Sequence, residues 1–177
     1  MAASKAAPGG SGARVAVLMG SDSDLPVMKL AVEGLKAFGL GCEVRVLSAH
    51  RSPEATAEFA REAAGRGIGA IICGAGAAAH LAGAVAAQTS LPVIGVPLVS
   101  GSLGGLDALL ATVQMPPGVP VATVAVGELG ARNAAVLAAQ ILAVGDAELA
   151  GRLAKHKAEM AAGVAAKDRK VREGLSV

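Results

Sequence analysis

A histidine and an arginine stand side by side in VLSAHRSPEA, residues 46–55, between a run that reads as a buried strand and a proline that reads as a helix start. Arg51 offers a fixed planar fork for phosphate or carboxylate. An imidazole ordinarily titrates near neutrality, so His50 can give and take a proton in one cycle, a device worth about a hundredfold to ten-thousandfold in rate. A ligand with both an anion and a titrating carbon would use both groups, with Ser48 two residues away. Without such a ligand, a lone histidine reads as a satisfied structural imidazole.

A second polar segment, GSDSD (20–24), ends an apolar run and opens a helix. The hydroxyls of Ser21 and Ser23 and the free backbone N–H groups there can meet an anion at the positive helix end. Plain N-capping by Ser23 or Asp24 explains half of the motif by itself. Asp24 would repel a phosphate, so its functional reading is acceptance of hydrogen bonds from sugar hydroxyls.

The third segment, GAGAAAH (74–80), matches the GxGxxA dinucleotide fingerprint. The acid expected about twenty residues later for the ribose is missing, because nothing acidic occurs between Glu62 and Asp107. Gly74 and Gly76, with Ala75 between them, therefore read as a close backbone approach to a small planar ligand, or as a tight turn. His80 can reach the same cleft or bond a neighbouring loop. Two histidines with no third Cys, Asp or Glu at ligand spacing do not make a zinc site, so no metal or other cofactor is expected. His156, in a charged stretch, reads as solvated.

These segments are positioned by an alternation of short apolar runs and helical patterns. RVAVLM (14–19), CEVRVL (42–47), GAIICG (69–74), PVIGV (92–96) and VATVAV (121–126) read as strands. Helices are expected over about 24–38, 53–65, 77–88, 106–113 and 130–144, with Pro53 after Ser52 as an N-terminal signature. The result is a three-layer α/β/α domain, most simply a flavodoxin-like parallel sheet of about five strands with helices on both faces. Ligands in such folds sit beyond the carboxyl ends of the strands, where GSDSD, SAHRSP, GAGAAAH and GVPLVSGSLGG all fall.

Residues 1–13 read as a disordered tail without export or import pattern, 14–145 as the catalytic domain, and 146–177 as a charged final helix and tail. The net charge of +2 and scattered Lys and Arg argue against nucleic acid. Cys42 and Cys73 lack metal spacing and read as buried reduced thiols, which points to the cytoplasm. No charged side chain occurs between residues 67 and 106, yet glycines, Pro92 and Pro97 interrupt that stretch. A sheet covered on both faces explains it without a membrane. The helix AAAHLAGAVAAQ has almost no polar face, so either a homo-oligomer buries it or it is an internal core helix. Two other doubly wound classes fit less well. Cys73-Gly74 stands where a phospho-receiver needs Asp, and a chain with no Trp, no Tyr and two Phe lacks the aromatics of a flavin carrier.

With GSDSD, SAHRSP, GAGAAAHLAG, GVP and VQMPPGVPVATVAVG in this order, the chain closely resembles the PurE family, the 5-(carboxyamino)imidazole ribonucleotide mutases of purine biosynthesis. The match spans about Val15 to Val144. The resemblance implies movement of a carboxylate from the exocyclic nitrogen of an aminoimidazole ribonucleotide to a ring carbon, without ATP, biotin or metal. It implies that Ser21, Asp24 and Arg51 hold the ribose phosphate portion and that His50 shuttles the proton. Gly74, Ala75 and Gly76 would wall the space for the imidazole and the transient carbon dioxide, and the assembly would be an octamer. The chain departs from the family's commonest pattern at Ala77, Leu25, Ala108 and Ala111, which bears on the shape of the site rather than on its proton carrier. Two alternatives stand beside this reading: a direct carboxylase using carbon dioxide and aminoimidazole ribonucleotide, and a non-catalytic nucleotide-binding module, against which the intact His50 argues.

Overall fold

The computed structural model describes residues 15–175. The expected tail over 1–13 lies outside the described residues. Strands β1 (Val15–Met19), β2 (Cys42–Val46), β3 (Ala70–Gly76), β4 (Val93–Leu98) and β5 (Ala122–Thr123) form one parallel sheet in the order β2-β1-β3-β4-β5. This is the flavodoxin-like order expected from the sequence.

Alternation along β1 shows how the layers are built. Val15, Val17 and Met19 pack with Met28 and Leu35 of α1 (Leu25–Ala37) and with Ala131, Ala135 and Ala138 of α5 (Glu128–Ala143). Ala16 and Leu18 point to the other face, toward Phe59 of α2 (Pro53–Glu62) and Leu81 and Val85 of α3 (Leu81–Ala86). A strand buried on both faces needs apolar residues at every position, which is why VAVLM shows no polar alternation. α4 (Leu106–Val113) packs on the α3 side, where Thr112 approaches Gly95 of β4.

Two expected elements come out shorter. The helix expected over 77–88 begins only at Leu81, because Ala77 takes a left-handed φ of 52° and the next peptides make tight turns, Ala79 N–H to Ala77 O and His80 N–H to Ala78 O, both 2.8 Å. That segment's apolar character is largely absorbed inside the chain, with Leu81, Ala82 and Val85 buried in its own core. The strand expected over 121–126 keeps two residues. Pro97 of β4 has no N–H to offer β5, and the ladder slips from Val124 N–H on Gly95 O to Gly127 N–H on Pro97 O.

Beyond residue 145 the chain forms one long helix, α6 (Ala147–Gly174), capped by Asp146, whose side chain accepts from Leu149 N–H at 3.0 Å. Leu149 is fully buried in the α1/α5 core, and His156 sets its ring edge-on to Phe38 at 5.2 Å. From residue 157 to 175 every side chain is exposed.

Candidate active site

Strands β2 and β3 flank β1, so the three loops that follow them converge at the carboxyl edge of the sheet, where the strand order reverses. They enclose a cleft of about 410 Å³, within the usual range for small-molecule sites of roughly 300–1,000 Å³. Ser21, Ser23 and Asp24 line it from the first loop, Ser48, His50 and Arg51 from the second, and Ala75, Gly76 and His80 from the third. Nearly the whole set expected from sequence is therefore in one place.

Gly74 is the exception. It is buried behind the cleft rather than lining it, and a Cβ there would sit 2.3 Å from Met28 Sδ. Its lack of a side chain makes room for α1, not for a ligand. Gly76 does face the cleft, and a Cβ on it would lie 2.6 Å from Cβ of Ser100. Ser100, after β4, lines the cleft and was not singled out beforehand, although its loop GVPLVSGSLGG was placed at this edge.

The first loop is held by its own polar groups. Ser21 and Asp24 form a capping box around one 3-10 turn: Ser21 N–H donates to Asp24 Oδ2 at 3.0 Å, and Ser23 N–H donates to Ser21 Oγ at 3.3 Å. Burial pushes the Asp24 carboxyl above its ordinary value, while hydrogen bonds from Ser21 and Gly20 and the nearby Arg51 charge pull the other way. Arg51 is fixed across the cleft by Nη2 donating to Gly20 O at 3.1 Å. Its backbone N–H donates to Ser48 Oγ, also at 3.1 Å. The first two loops are thus tied together by a guanidinium that still has donors to spare.

The two histidines meet. His50 Nε2 and His80 Nδ1 lie 2.8 Å apart in a hydrogen bond, with the rings edge-to-face at a centroid distance of 4.9 Å. His80 thereby occupies the cleft rather than only bracing a loop, and of the two facing nitrogens one carries the hydrogen and donates while the other accepts. Chemically, the cleft joins an imidazole pair that can hold and pass a proton, a guanidinium and serine hydroxyls suited to a phosphate, and a carboxylate suited to sugar hydroxyls. Among the described residues no three His, Cys, Asp or Glu side chains are grouped to hold a metal ion.

A doubly wound α/β protein with an imidazole pair and an arginine facing a serine turn at its switch point is the class that this fold and cleft define. The chain belongs to the AIR carboxylase family, whose pattern it matches over residues 14–163. It is 55% identical over 161 residues to the N5-carboxyaminoimidazole ribonucleotide mutase of Mycobacterium tuberculosis (strain ATCC 25618 / H37Rv), covering 91% of each chain. It is 58% identical over 147 residues to the N5-carboxyaminoimidazole ribonucleotide mutase of Saccharolobus solfataricus, covering 83% of this chain and 92% of the relative. The crystal structure of Treponema denticola PurE superposes with a TM-score of 0.82 at 30% identity, over 89% of this chain and 98% of that one.

Proposed function

We propose that the chain is an N5-carboxyaminoimidazole ribonucleotide mutase of purine biosynthesis, an isomerase that moves a carboxylate from the exocyclic nitrogen to a ring carbon. The observation that carries this reading is the hydrogen-bonded His50–His80 pair facing Arg51 and the serine turn across one cleft. The relatives with that name, at 50% identity and more, support it.

The proton count explains why imidazole suits the reaction. The exocyclic nitrogen gains a hydrogen as its N–C bond to the carboxyl group breaks, and the ring carbon loses one after it bonds the released carbon dioxide. One imidazole can deliver the first and accept the second, ending in its starting state. His50 takes that role, and His80 positions its ring and orders its tautomer. Arg51 with Ser21, Ser23 and Ser48 holds the phosphate, and Asp24 holds the ribose hydroxyls. Ala75, Gly76 and Ser100 leave a narrow floor beneath the heterocycle, where carbon dioxide is recaptured before it escapes.

In this reading residues 14–145 are the catalytic body and 146–177 an appendage outside the chemistry. The enzyme works in the cytoplasm as a homo-oligomer, an octamer as the family resemblance implies. No helix among the described residues is long and apolar enough to cross a membrane, which accords with that location.

The test supplies each substrate separately and follows carboxylated product. With N5-carboxyaminoimidazole ribonucleotide, His50→Asn should lose about a hundredfold to ten-thousandfold in kcat; wild-type turnover in that variant would remove the mechanism. The second reading, a direct carboxylase, is favoured by the family's own description. Turnover of aminoimidazole ribonucleotide only with added bicarbonate, and none of the carboxylated substrate, would establish it instead.

A further inference from the structure

Ser52 stands at the N-cap of α2, with Pro53 directly after it, yet its side chain does not cap the helix. A serine in that position ordinarily accepts a hydrogen bond from the second or third backbone N–H of the helix. The Ser52 hydroxyl is turned back instead onto Ser48, four residues earlier. Ser48 N–H donates to Ser52 Oγ at 3.0 Å, and Ser52 Oγ donates to Ser48 O at 3.2 Å. Ser52 N–H reaches the same carbonyl at 2.9 Å. Residues 48–52 are thereby closed into a clasp, with His50 and Arg51 between its two ends.

The clasp is fastened to the body on both sides. Before it, Leu47 N–H donates to Met19 O at 2.9 Å, which fixes the chain as it leaves β2. After it, Ser52 O accepts from Thr56 N–H at 3.1 Å and from Thr56 Oγ1 at 2.9 Å, and Thr56 is 2% exposed. Inside it, Ser48 Oγ accepts from Arg51 N–H at 3.1 Å and lies 3.5 Å from Arg51 Nε, which leaves the hydroxyl hydrogen of Ser48 for a ligand. A continuous line of hydrogen bonds runs from Thr56 through Ser52 and Ser48 to the guanidinium that crosses to Gly20 O.

Ser48, His50 and Arg51 line the cleft, whereas Ser52 does not. Its hydroxyl serves the shape of the loop rather than the end of the helix. Pro53 lessens what α2 forgoes, because a proline at the first helical position has no N–H to leave unbonded.

We propose that Ser52 is a positioning residue: its hydroxyl holds Ser48, and through Ser48 the Arg51 guanidinium, in the geometry that receives the phosphate. This rests on the ribonucleotide reading above and adds to it a residue outside the cleft. Without the hydroxyl the loop keeps every group that meets the ligand but not their common aim, and a displacement of about 1 Å is enough to cost on the order of a hundredfold in rate.

The test compares the full chain with Ser52→Ala, Ser52→Thr, Arg51→Ala and the double variant of Arg51→Ala with Ser52→Ala. Calorimetry measures binding of aminoimidazole ribonucleotide, and circular dichroism follows melting. Ser52→Ala should weaken binding by about tenfold at an unchanged melting temperature. Ser52→Thr, which keeps the hydroxyl, should restore it. In the Arg51→Ala background the loss of Ser52 should change nothing further, because the group it acts through is gone. Wild-type affinity in Ser52→Ala, or an equal loss in both backgrounds, would overturn the proposal and leave the ribonucleotide reading standing. A loss that comes with a lower melting temperature and is not rescued by threonine would make Ser52 a structural residue only and also overturn it. A wild-type chain that does not bind the ribonucleotide would remove both.

Discussion

Asp24 shows how a single side chain links site and stability. Burial raises its carboxyl above the ordinary value of 3.8 despite the Ser21 hydrogen bond and the Arg51 charge. A raised folded-state value means that the protonated form favours folding. That contribution is full below pH 3.8 and is lost as pH rises through the folded-state value. Asp24→Asn keeps an acceptor for Ser21 N–H and cannot ionise. Its stability relative to wild type should therefore increase from pH 3 toward pH 7, while KM for the ribonucleotide rises. Thermal melts of both chains across that range check it; a constant gap would mean that the ionised carboxylate carries no penalty. His50 and Arg51 were legible as a pair because adjacency in sequence is adjacency in space. The bond between His50 and His80 was not, since it spans 30 residues and depends on β2 and β3 flanking β1. Gly74 was read as a close backbone approach to a ligand or a tight turn because a glycine pattern does not reveal on which side of the backbone the missing side chain leaves room; here it is the side of Met28.

At the scale of elements, the alternation of apolar runs and amphipathic stretches was enough to place five strands and their order. Element ends were less legible where one residue broke a rule. Ala77 delays α3 with a backbone angle that alanine rarely adopts, and Pro97 shortens β5 from the neighbouring strand. Pro97 lies outside the segment it shortens, and an alanine's identity does not foretell the positive φ of Ala77. The stem of α6 rests on Leu149, fully buried between α1 and α5. Leu149→Ala should lower unfolding free energy by about 2–5 kcal/mol. Denaturant titration followed by circular dichroism measures this in a chain without Trp or Tyr. An unchanged midpoint would show that α6 adds nothing to the body's core.

Among the described residues, the molecule divides its apolar surface between an interior closed by its own helices and stripes that stay exposed on α4 and α6. The alanine-rich segment that first suggested an oligomer is mostly used internally, whereas the exposed stripes lie on α4 and on the far half of α6, with α4's composition too ordinary to single it out. Periodicity finds such a stripe but says nothing about whether a neighbouring element covers it. α6 leaves α5 at Gly145, around which a Cβ would meet nothing within 4 Å, so the heading of its far half is inherited from the seats of Leu149, Leu153 and His156 on the body rather than from the turn itself.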